Sequence, residues 1–530
     1  MDLQLPPGKI WQQLASHFQT LSDVSLQDYF AAEPDRGQRL AIEFGPLYLD
    51  YSKNHINQQT LDLLLELCNE CQLDQHIADL FSGSVINNSE QRAARHTALR
   101  NPEYLTDTVF KQQLQTEKRR IIQLHEALAN GQIAGFSNKA IKTLVNIGVG
   151  GSDIGPRLIV NALRTTSDEP AVHFISNLDS HDATKVLAAA DPETTLFIVA
   201  SKSFTTLETR QNFQRAQDWL LAGGCPATAL EQHFVAATAR PQAALAAGIN
   251  SDRIFSFDTS IGGRYSIWSI AGLTAMLAIG PRQYDEFLQG AAALDTHFVN
   301  SDPGTNMPVI LALLDIWYRN FFNTAARAVV PYEQRLADLP AYLTQLFMES
   351  NGKSVSRDGQ SLSWQTGGVI FGGTGTTVQH SFFQSLHQGT TLIPVDFLVA
   401  SQGDSDHAAL FASCVAQARA LMLGTTDNSL PAHQVCHGNR PSNLLLYENL
   451  TPYVLGMLLA LYEQRAFVQA CLWNINPFDQ WGVELGKQIA GDLQDKLTGT
   501  QKMADADDDL GDDSSTRRLL QHYRHNKNQK

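Results

Sequence analysis

From residue 143 the chain alternates between short apolar runs and segments of helical character. The runs Thr143–Val149, Val172–Ser176, Thr195–Ala200, Phe234–Ala236 and Ile254–Phe257 are each bounded by turn residues, and Asp182–Ala190 and Thr206–Leu221 lie between them. Strands alternating with helices predict a parallel sheet covered on both faces. A long, mainly helical stretch follows from Tyr265 to about Arg319. The alternation then resumes with Gly368–Phe371, a helix from about Gln379 to His387, and Thr391–Phe397, before helices that run through Leu461 and Ala490. The first hundred residues are mainly helical, with one apolar run of strand length, Pro46 to Tyr51.

The expected fold class is therefore α/β, with two sandwich domains whose mainly parallel sheets are flanked by helices, the first domain inserted in the second. The smaller would span residues 110–280. The larger would combine 1–109 with 281–500, leaving a tail over 501–530. In that tail Asp505, Asp507, Asp508, Asp509, Asp512 and Asp513 precede Arg517 and Arg518, which suits a solvated strap with a short terminal helix.

Composition narrows the function classes. A chain of 530 residues with 43% hydrophobic and 18% charged positions is that of an ordinary globular protein. Its net charge of −15 opposes binding to nucleic acid or an anionic membrane, but allows a locally positive phosphate site. Met1 to Trp11 lacks a secretory pattern, and the apolar stretches Ile270–Ile279 and Val454–Leu461 fall short of the ~20 residues a spanning helix needs. Both predict buried helices. Cys68 and Cys71 form a CxxC inside the leucine-rich helical stretch Leu61–Leu73, with no second pair to complete a zinc site, so they are expected in the core. Together these features describe a reduced, cytoplasmic protein.

Two strand ends carry candidate phosphate chemistry. The run Thr143–Val149 leads into Gly150-Gly151-Ser152-Asp153-Ile154-Gly155-Pro156, where glycine permits a tight turn and the following helix offers unpaired N–H groups to an anion. No GK[ST] follows, so this is not a Walker loop. Asp179, just past the second strand, imitates a dinucleotide fingerprint, but the glycine spacing fits that poorly. The third strand ends in Ser201-Lys202-Ser203-Phe204-Thr205-Thr206-Leu207-Glu208-Thr209. Helix capping would occupy one hydroxyl; five hydroxyls and a lysine suit a phosphate monoester.

Four further segments gather polar groups in apolar surroundings: Gly262–Ser266 around Arg264; Gln345 to Lys353; Gln379-His380; and Phe478 to Lys487. Gln345 and Glu349 are four apart and share a helix face, and Gly352 should end that helix. Taken singly, Glu349 reads as a capping or surface carboxylate, His380 as a core histidine and Lys487 as a solvated lysine. No spacing rule connects them. The residues alone define an α/β phosphate binder with candidate acid–base groups.

Considered together, these segments resemble the phosphoglucose isomerase family. The matching stretches are Asp50–Asn54, Arg92–Arg100, Asn146–Pro156, Ser201–Thr209, Gly262–Ser269, Leu339–Lys353, Gln379–Thr390, Asn439–Asn443 and Asn474–Ala490, with LPAYLTQLFMESNGK and FDQWGVELGK the most specific. The resemblance implies two sugar-isomerase (SIS-type) domains and interconversion of glucose 6-phosphate and fructose 6-phosphate. It implies that Gly151, Ser152, Ser201, Ser203, Thr206 and Thr209 surround the sugar phosphate with Lys202 nearby. Glu349 would move a proton between C2 and C1 through a cis-enediolate, and Arg264 would stabilise the enediolate oxygens. His380 and Lys487 would open the sugar ring, Glu208 would orient the histidine, and Gln345 and Gln480 would contact substrate. The family works as a homodimer, the neighbouring subunit supplying the histidine, with no metal and no organic cofactor.

The chain departs from the family where Gly373-Thr374-Gly375-Thr376-Thr377-Val378 replaces the usual Glu-Pro-Gly-Thr-Asn-Gly, and where Ser203 and Leu207 replace threonine and glutamine. That first change leaves open a non-catalytic phosphosugar-binding protein as the alternative to an enzyme. A dehydrogenase is the third reading.

Overall fold

The computed structural model describes residues 4–21, 23–164, 169–425, 427, 429–498 and 513–527. They divide into two compact units, Met1–Phe478 and Asp479–Lys530. Among the described residues eleven strands form two sheets, both in the first unit.

One sheet holds β3 (Thr143–Ile147), β4 (Ala171–Ile175), β5 (Thr195–Ala200), β6 (Phe234–Thr238) and β7 (Ile254–Ser256). Its order is β4-β3-β5-β6-β7, and every pairing is parallel. β3, β5 and β6 are buried throughout, which is why these runs are continuously apolar instead of alternating. The chain leaves β3 to one side for β4 and returns on the other for β5. This reversal opens a crevice between the carboxyl ends of β3 and β5, where open α/β sheets bind ligands.

The other sheet takes β1 (Ala41–Phe44), β2 (Leu47–Asp50), β8 (Ala326–Pro331), β9 (Val369–Gly372), β10 (Val395–Ala400) and β11 (Ser442–Tyr447), in the order β1-β2-β11-β10-β8-β9. β8 to β11 are parallel to one another, and the β1–β2 hairpin adds antiparallel to β11. The α/β class, with mainly parallel sheets flanked by helices, is thus observed.

Both apolar stretches became buried helices. The second lies within Pro452–Leu472, in which every residue from Val454 to Leu472 is buried. Several of its polar positions are paired. Arg465 pairs with Asp315 and Asp396, each at 2.6 Å, Gln464 donates to Asp295 at 2.7 Å, and Trp268 Nε1 donates to Glu463 at 2.7 Å. No helix is long and apolar enough to cross a membrane among the described residues. Cys68 is buried on the helix Gln58–Glu70, and burial pushes its thiol up to about 12, so it behaves as a small apolar group.

Several elements differ from expectation. The helix expected from Gln379 to His387 is a 3-10 turn, Thr377–His380, then a break at Ser381 and a short helix, Phe383–Gln388. Val149 lies beyond β3. In the second unit, helices Glu484–Thr498 and Ser514–Lys527 are joined by a hydrogen bond of 3.0 Å from Arg524 to the Lys496 carbonyl. The terminal helix expected of the tail is therefore present. Of its acidic run, Asp505, Asp507, Asp508, Asp509 and Asp512 lie outside the described residues.

Candidate active site

The cleft is built from the backbone upward. After β3 the chain makes a 3-10 turn, Gly150–Ser152, and then enters the helix Ile154–Leu163. Gly150 has φ 59°, a left-handed conformation that favours glycine, and a Cβ there would lie 3.1 Å from Gln345 Nε2. A Cβ on Gly151 would collide with the Gly263 carbonyl. These two glycines let three separate segments meet: the β3 loop, the turn Gly263–Trp268, and the helix Leu339–Asn351. Asn146 Nδ2 fixes the loop by donating to the Ser152 carbonyl at 3.0 Å, and Thr274 donates to Asn146 Oδ1 at 2.7 Å.

Beside this loop stands the end of β5. Ser201 Oγ accepts from Phe204 N at 3.1 Å, and Ser203 Oγ accepts from Thr205 N at 3.2 Å. Both hydroxyls thus stabilise a turn in which Phe204 is left-handed at φ 58°. Thr206 occupies the N-cap of the helix Leu207–Ala222 and makes no side-chain cap bond, contrary to the expectation that one hydroxyl of the cluster caps. Thr209 is buried one turn on. Lys202 Nζ donates to the Ile261 carbonyl at 2.8 Å, tying this loop to the segment that carries Arg264. Burial, assisted by the Arg92 charge, lowers the Lys202 amine to about 8, while Glu90 and Asp258 oppose the shift.

Opposite lies the helix Leu339–Asn351. Its Leu339, Tyr342, Leu343, Leu346, Phe347 and Ser350 pack inward, leaving Gln345 and Glu349 on the remaining face. As expected, the helix stops at Gly352. Glu349 Oε2 lies 3.7 Å from Arg264 Nη1, with the arginine side chain 1% exposed and the glutamate 23%. That carboxylate oxygen is buried and has no hydrogen-bond partner among the described residues. An acceptor facing a fixed cation without a bond of its own is equipped to receive a proton from a third group.

Behind Arg264 lies a layer that sequence reasoning did not assign. Arg264 Nε donates to Ser350 Oγ at 2.7 Å and Nη2 donates to the Pro477 carbonyl. The Tyr265 hydroxyl meets Ser350 Oγ at 2.8 Å, and the His96 ring stacks on Tyr265 with centroids 4.6 Å apart. Arg264, Ser350 and Pro477 are far apart in the chain, and no local pattern announces their contact.

The structure therefore gathers Gly151, Ser152, Ser201, Lys202, Arg264, Gln345 and Glu349 around the β3 and β5 ends. Ser203, Thr206, Glu208 and Thr209 follow on the β5 loop and its helix. His380 is exposed at the end of its 3-10 turn, and among the described residues it bonds to neither Glu208 nor Glu349. Gln480 and Lys487 belong to the second unit, where Lys487 Nζ pairs with Glu484 at 2.8 Å. A separate cavity of about 350 Å³, lined largely by apolar side chains such as Phe110, Ile121 and Met276, contains none of the predicted site residues.

A glycine- and hydroxyl-rich crevice at parallel strand ends, faced by a carboxylate and a guanidinium, places the chain among α/β proteins of the sugar-isomerase type. A model of the phosphoglucose isomerase family matches residues 50–520. The glucose-6-phosphate isomerase of Coxiella burnetii is 44% identical over 98% of this chain and 97% of its own. That of Burkholderia ambifaria is 43% identical over 97% and 98%. A solved glucose-6-phosphate isomerase from Chlamydia trachomatis superposes with a TM-score of 0.86 at 31% identity, covering 97% of this chain and 98% of that one. The chain belongs to the phosphoglucose isomerase family.

Proposed function

We propose that the protein interconverts glucose 6-phosphate and fructose 6-phosphate as an intramolecular aldose–ketose isomerase of glycolysis and gluconeogenesis. The observation that carries this reading is the buried, unbonded Glu349 oxygen 3.7 Å from Arg264, beside the hydroxyl-rich strand ends.

In this reading Gly151, Ser152, Ser201, Lys202, Ser203, Thr206 and Thr209 hold the phosphate, with Gln345 and Gln480 on the sugar. His380 and Lys487 open the ring by proton transfer to and from its oxygens, and Glu208 orients the histidine. Glu349 then takes the proton from C2 of the open aldehyde, leaving the electron pair in a cis-enediolate; the O2 proton passes to O1, and Glu349 returns its proton to C1 to give the ketone. Arg264 stabilises the negative oxygens of the intermediate, a role suited to an always-charged planar group. Atoms and electrons balance within the sugar, and no cofactor enters the scheme.

The exposed setting of His380 fits a residue completed by a second subunit, so the working form is a homodimer with a shared site in the cytoplasm. The two sheets support the division into a smaller domain over 110–280 and a larger one over 1–109 with 281–500, followed by the tail from 501.

A coupled dehydrogenase assay with fructose 6-phosphate, in the presence of a chelator, tests the reading. Sustained formation of glucose 6-phosphate is expected. Saturable binding without conversion would replace it with a phosphosugar-binding protein. Light scattering tests the dimer: twice the chain mass is expected, and a monomer that is fully active would remove the shared site.

A further inference from the structure

The loop that departs from the family pattern, Gly373 to Val378, is laid along the end of β8. Gly373 N donates to the Val329 carbonyl at 3.3 Å, and Gly375 N donates to the Pro331 carbonyl at 2.7 Å. Tyr332, the residue after β8, is 1% exposed. A Cβ on Gly375 would collide with the Tyr332 ring, so the loop backbone rests directly on that ring and only glycine fits there. Further along, Gln379 Nε2 donates to the Tyr332 hydroxyl at 2.6 Å. One side chain thus meets the chain at two points just before His380.

Tyr332 is itself firmly held. Its N–H donates to the Leu398 carbonyl at 2.7 Å, and its ring packs among Phe383, Phe397 and Val399. Burial raises its phenol to about 12, against the Gln379 amide and the Thr376 backbone N–H, so it stays a neutral hydroxyl. Two of the departures also answer each other. Gly373 stands where glutamate is usual and Val378 where glycine is usual. A Cβ on Gly373 would lie 2.5 Å from Val378 Cγ1, so the valine fills the room a side chain at 373 would take. Between them Thr376 has φ 56° and ψ −52°, a rare and strained conformation for a β-branched residue. Such backbone persists only where its surroundings over-determine it. The bonds from Pro331 and Tyr332 on either side do so here.

We infer that Tyr332 is a positioning residue for His380. Its ring seats the loop at Gly375 and its hydroxyl pins Gln379, which fixes the turn Thr377–His380. The histidine is exposed at the end of that turn, so its placement depends on the backbone that carries it. The altered loop is therefore a repacked support for the imidazole. This inference rests on the ring-opening role given above to His380.

Two variants test it, each first confirmed as folded by thermal unfolding. Tyr332→Phe keeps the ring and removes the hydroxyl. Gly375→Ala keeps the hydroxyl and lifts the loop off the ring. With fructose 6-phosphate, kcat should fall at least about tenfold in the first and about 10²-fold in the second, the scale of an ångström-level misplacement. The comparison substrate is 5-deoxyfructose 6-phosphate, which lacks the hydroxyl that closes the ring. On it both variants should stay within about threefold of the parent. In a His380→Asn background, Tyr332→Phe should cost less than about twofold more, because its effect passes through the histidine. Amide hydrogen exchange over residues 373–380 gives a reading independent of activity, and it should quicken at least about tenfold in both variants. An unchanged kcat, equal losses on the two sugars, a full additional loss beside His380→Asn, or unchanged exchange would overturn the inference. Should the parent refuse the analogue, the His380→Asn comparison decides alone. Absence of turnover by the parent on both sugars would instead count against the isomerase reading, with exchange still deciding whether Tyr332 holds the turn.

Discussion

Arg264 Nη1 and Glu349 Oε2 face each other across 3.7 Å, one side chain fully buried and the other opening to the cleft. The arginine comes from the turn Gly263–Trp268 and the glutamate from the helix Leu339–Asn351; the β3 loop packs against both, Gly151 leaving room for the turn and Gly150 for the helix. Their opposition is what converts a phosphate cleft into a site for proton transfer.

Glu349→Gln keeps the size of the side chain and removes the base. The turnover number should fall by at least ~10²–10⁴, the contribution of a positioned general base, with little change in phosphosugar affinity. Steady-state kinetics together with a binding titration check both parts. Full activity in this variant would show that another group moves the proton.

Gly151→Ala should damage folding and binding together. The added methyl would overlap the Gly263 carbonyl, so the β3 loop and the Arg264 turn must separate. A loss of about 1–3 kcal/mol is expected, as for other overpacked sites, with a raised KM. Urea unfolding and kinetics on the same preparation check it. A variant matching the parent in both would show that the two loops are not pressed together.

Lys202 makes a pH-dependent prediction. Its amine is lowered to about 8 chiefly by burial, so the free protein loses this positive charge as pH rises through that value. The ratio kcat/KM, which reports ionisations of the free enzyme, should decline above about pH 8. Lys202→Met should lower kcat/KM at neutral pH and abolish that decline. A parent profile flat from pH 7 to 9.5, or a variant that retains the decline, would remove the lysine from phosphate recognition.

How much of this was visible in the sequence depends on the range of the interaction. The β3–β7 runs were legible because each strand is locally apolar and ends in turn residues. The pairing of Gln345 with Glu349 followed from helical spacing, and the stop at Gly352 from its lack of helix propensity. β8 and β11 went unrecognised. Arg327 interrupts the apolar run of β8, and only Asp315 and Asp396, both distant in sequence, neutralise it. Asn443 similarly sits buried in β11 because Asp396 accepts its amide at 2.8 Å. The anchoring of Arg264 by Ser350 and Pro477 is hidden for the same reason. A buried polar residue cannot be told from a surface one until its partner, here 86 and 213 positions away, is in place. At Gln379–His387, helical composition misled, because the chain breaks at Ser381 between two short turns.

Acid should destabilise the fold through its buried histidines. His297 Nε2 accepts the Met307 N–H at 3.1 Å, which requires an unprotonated nitrogen, and burial lowers this histidine to about 4. His55 is likewise lowered to about 4, mainly by burial. Between the ordinary histidine value of about 6.5 and about 4, the unfolded chain binds these protons and the folded chain does not, so stability falls as pH falls through that window. Urea unfolding at pH 7, 5.5 and 4.5 should show a progressive loss, diminished in His297→Gln. Equal stability at pH 7 and 4.5 would contradict the burial of neutral imidazoles.

The most direct measurement follows the proton itself. Fructose 6-phosphate is incubated with the protein in deuterium oxide and observed by NMR. Glucose 6-phosphate carrying deuterium at C2 is the expected product, formed at least ~10² times more slowly by Glu349→Gln. Deuterium arriving at C2 as quickly in that variant, or no glucose 6-phosphate from the parent protein, would contradict proton transfer by Glu349.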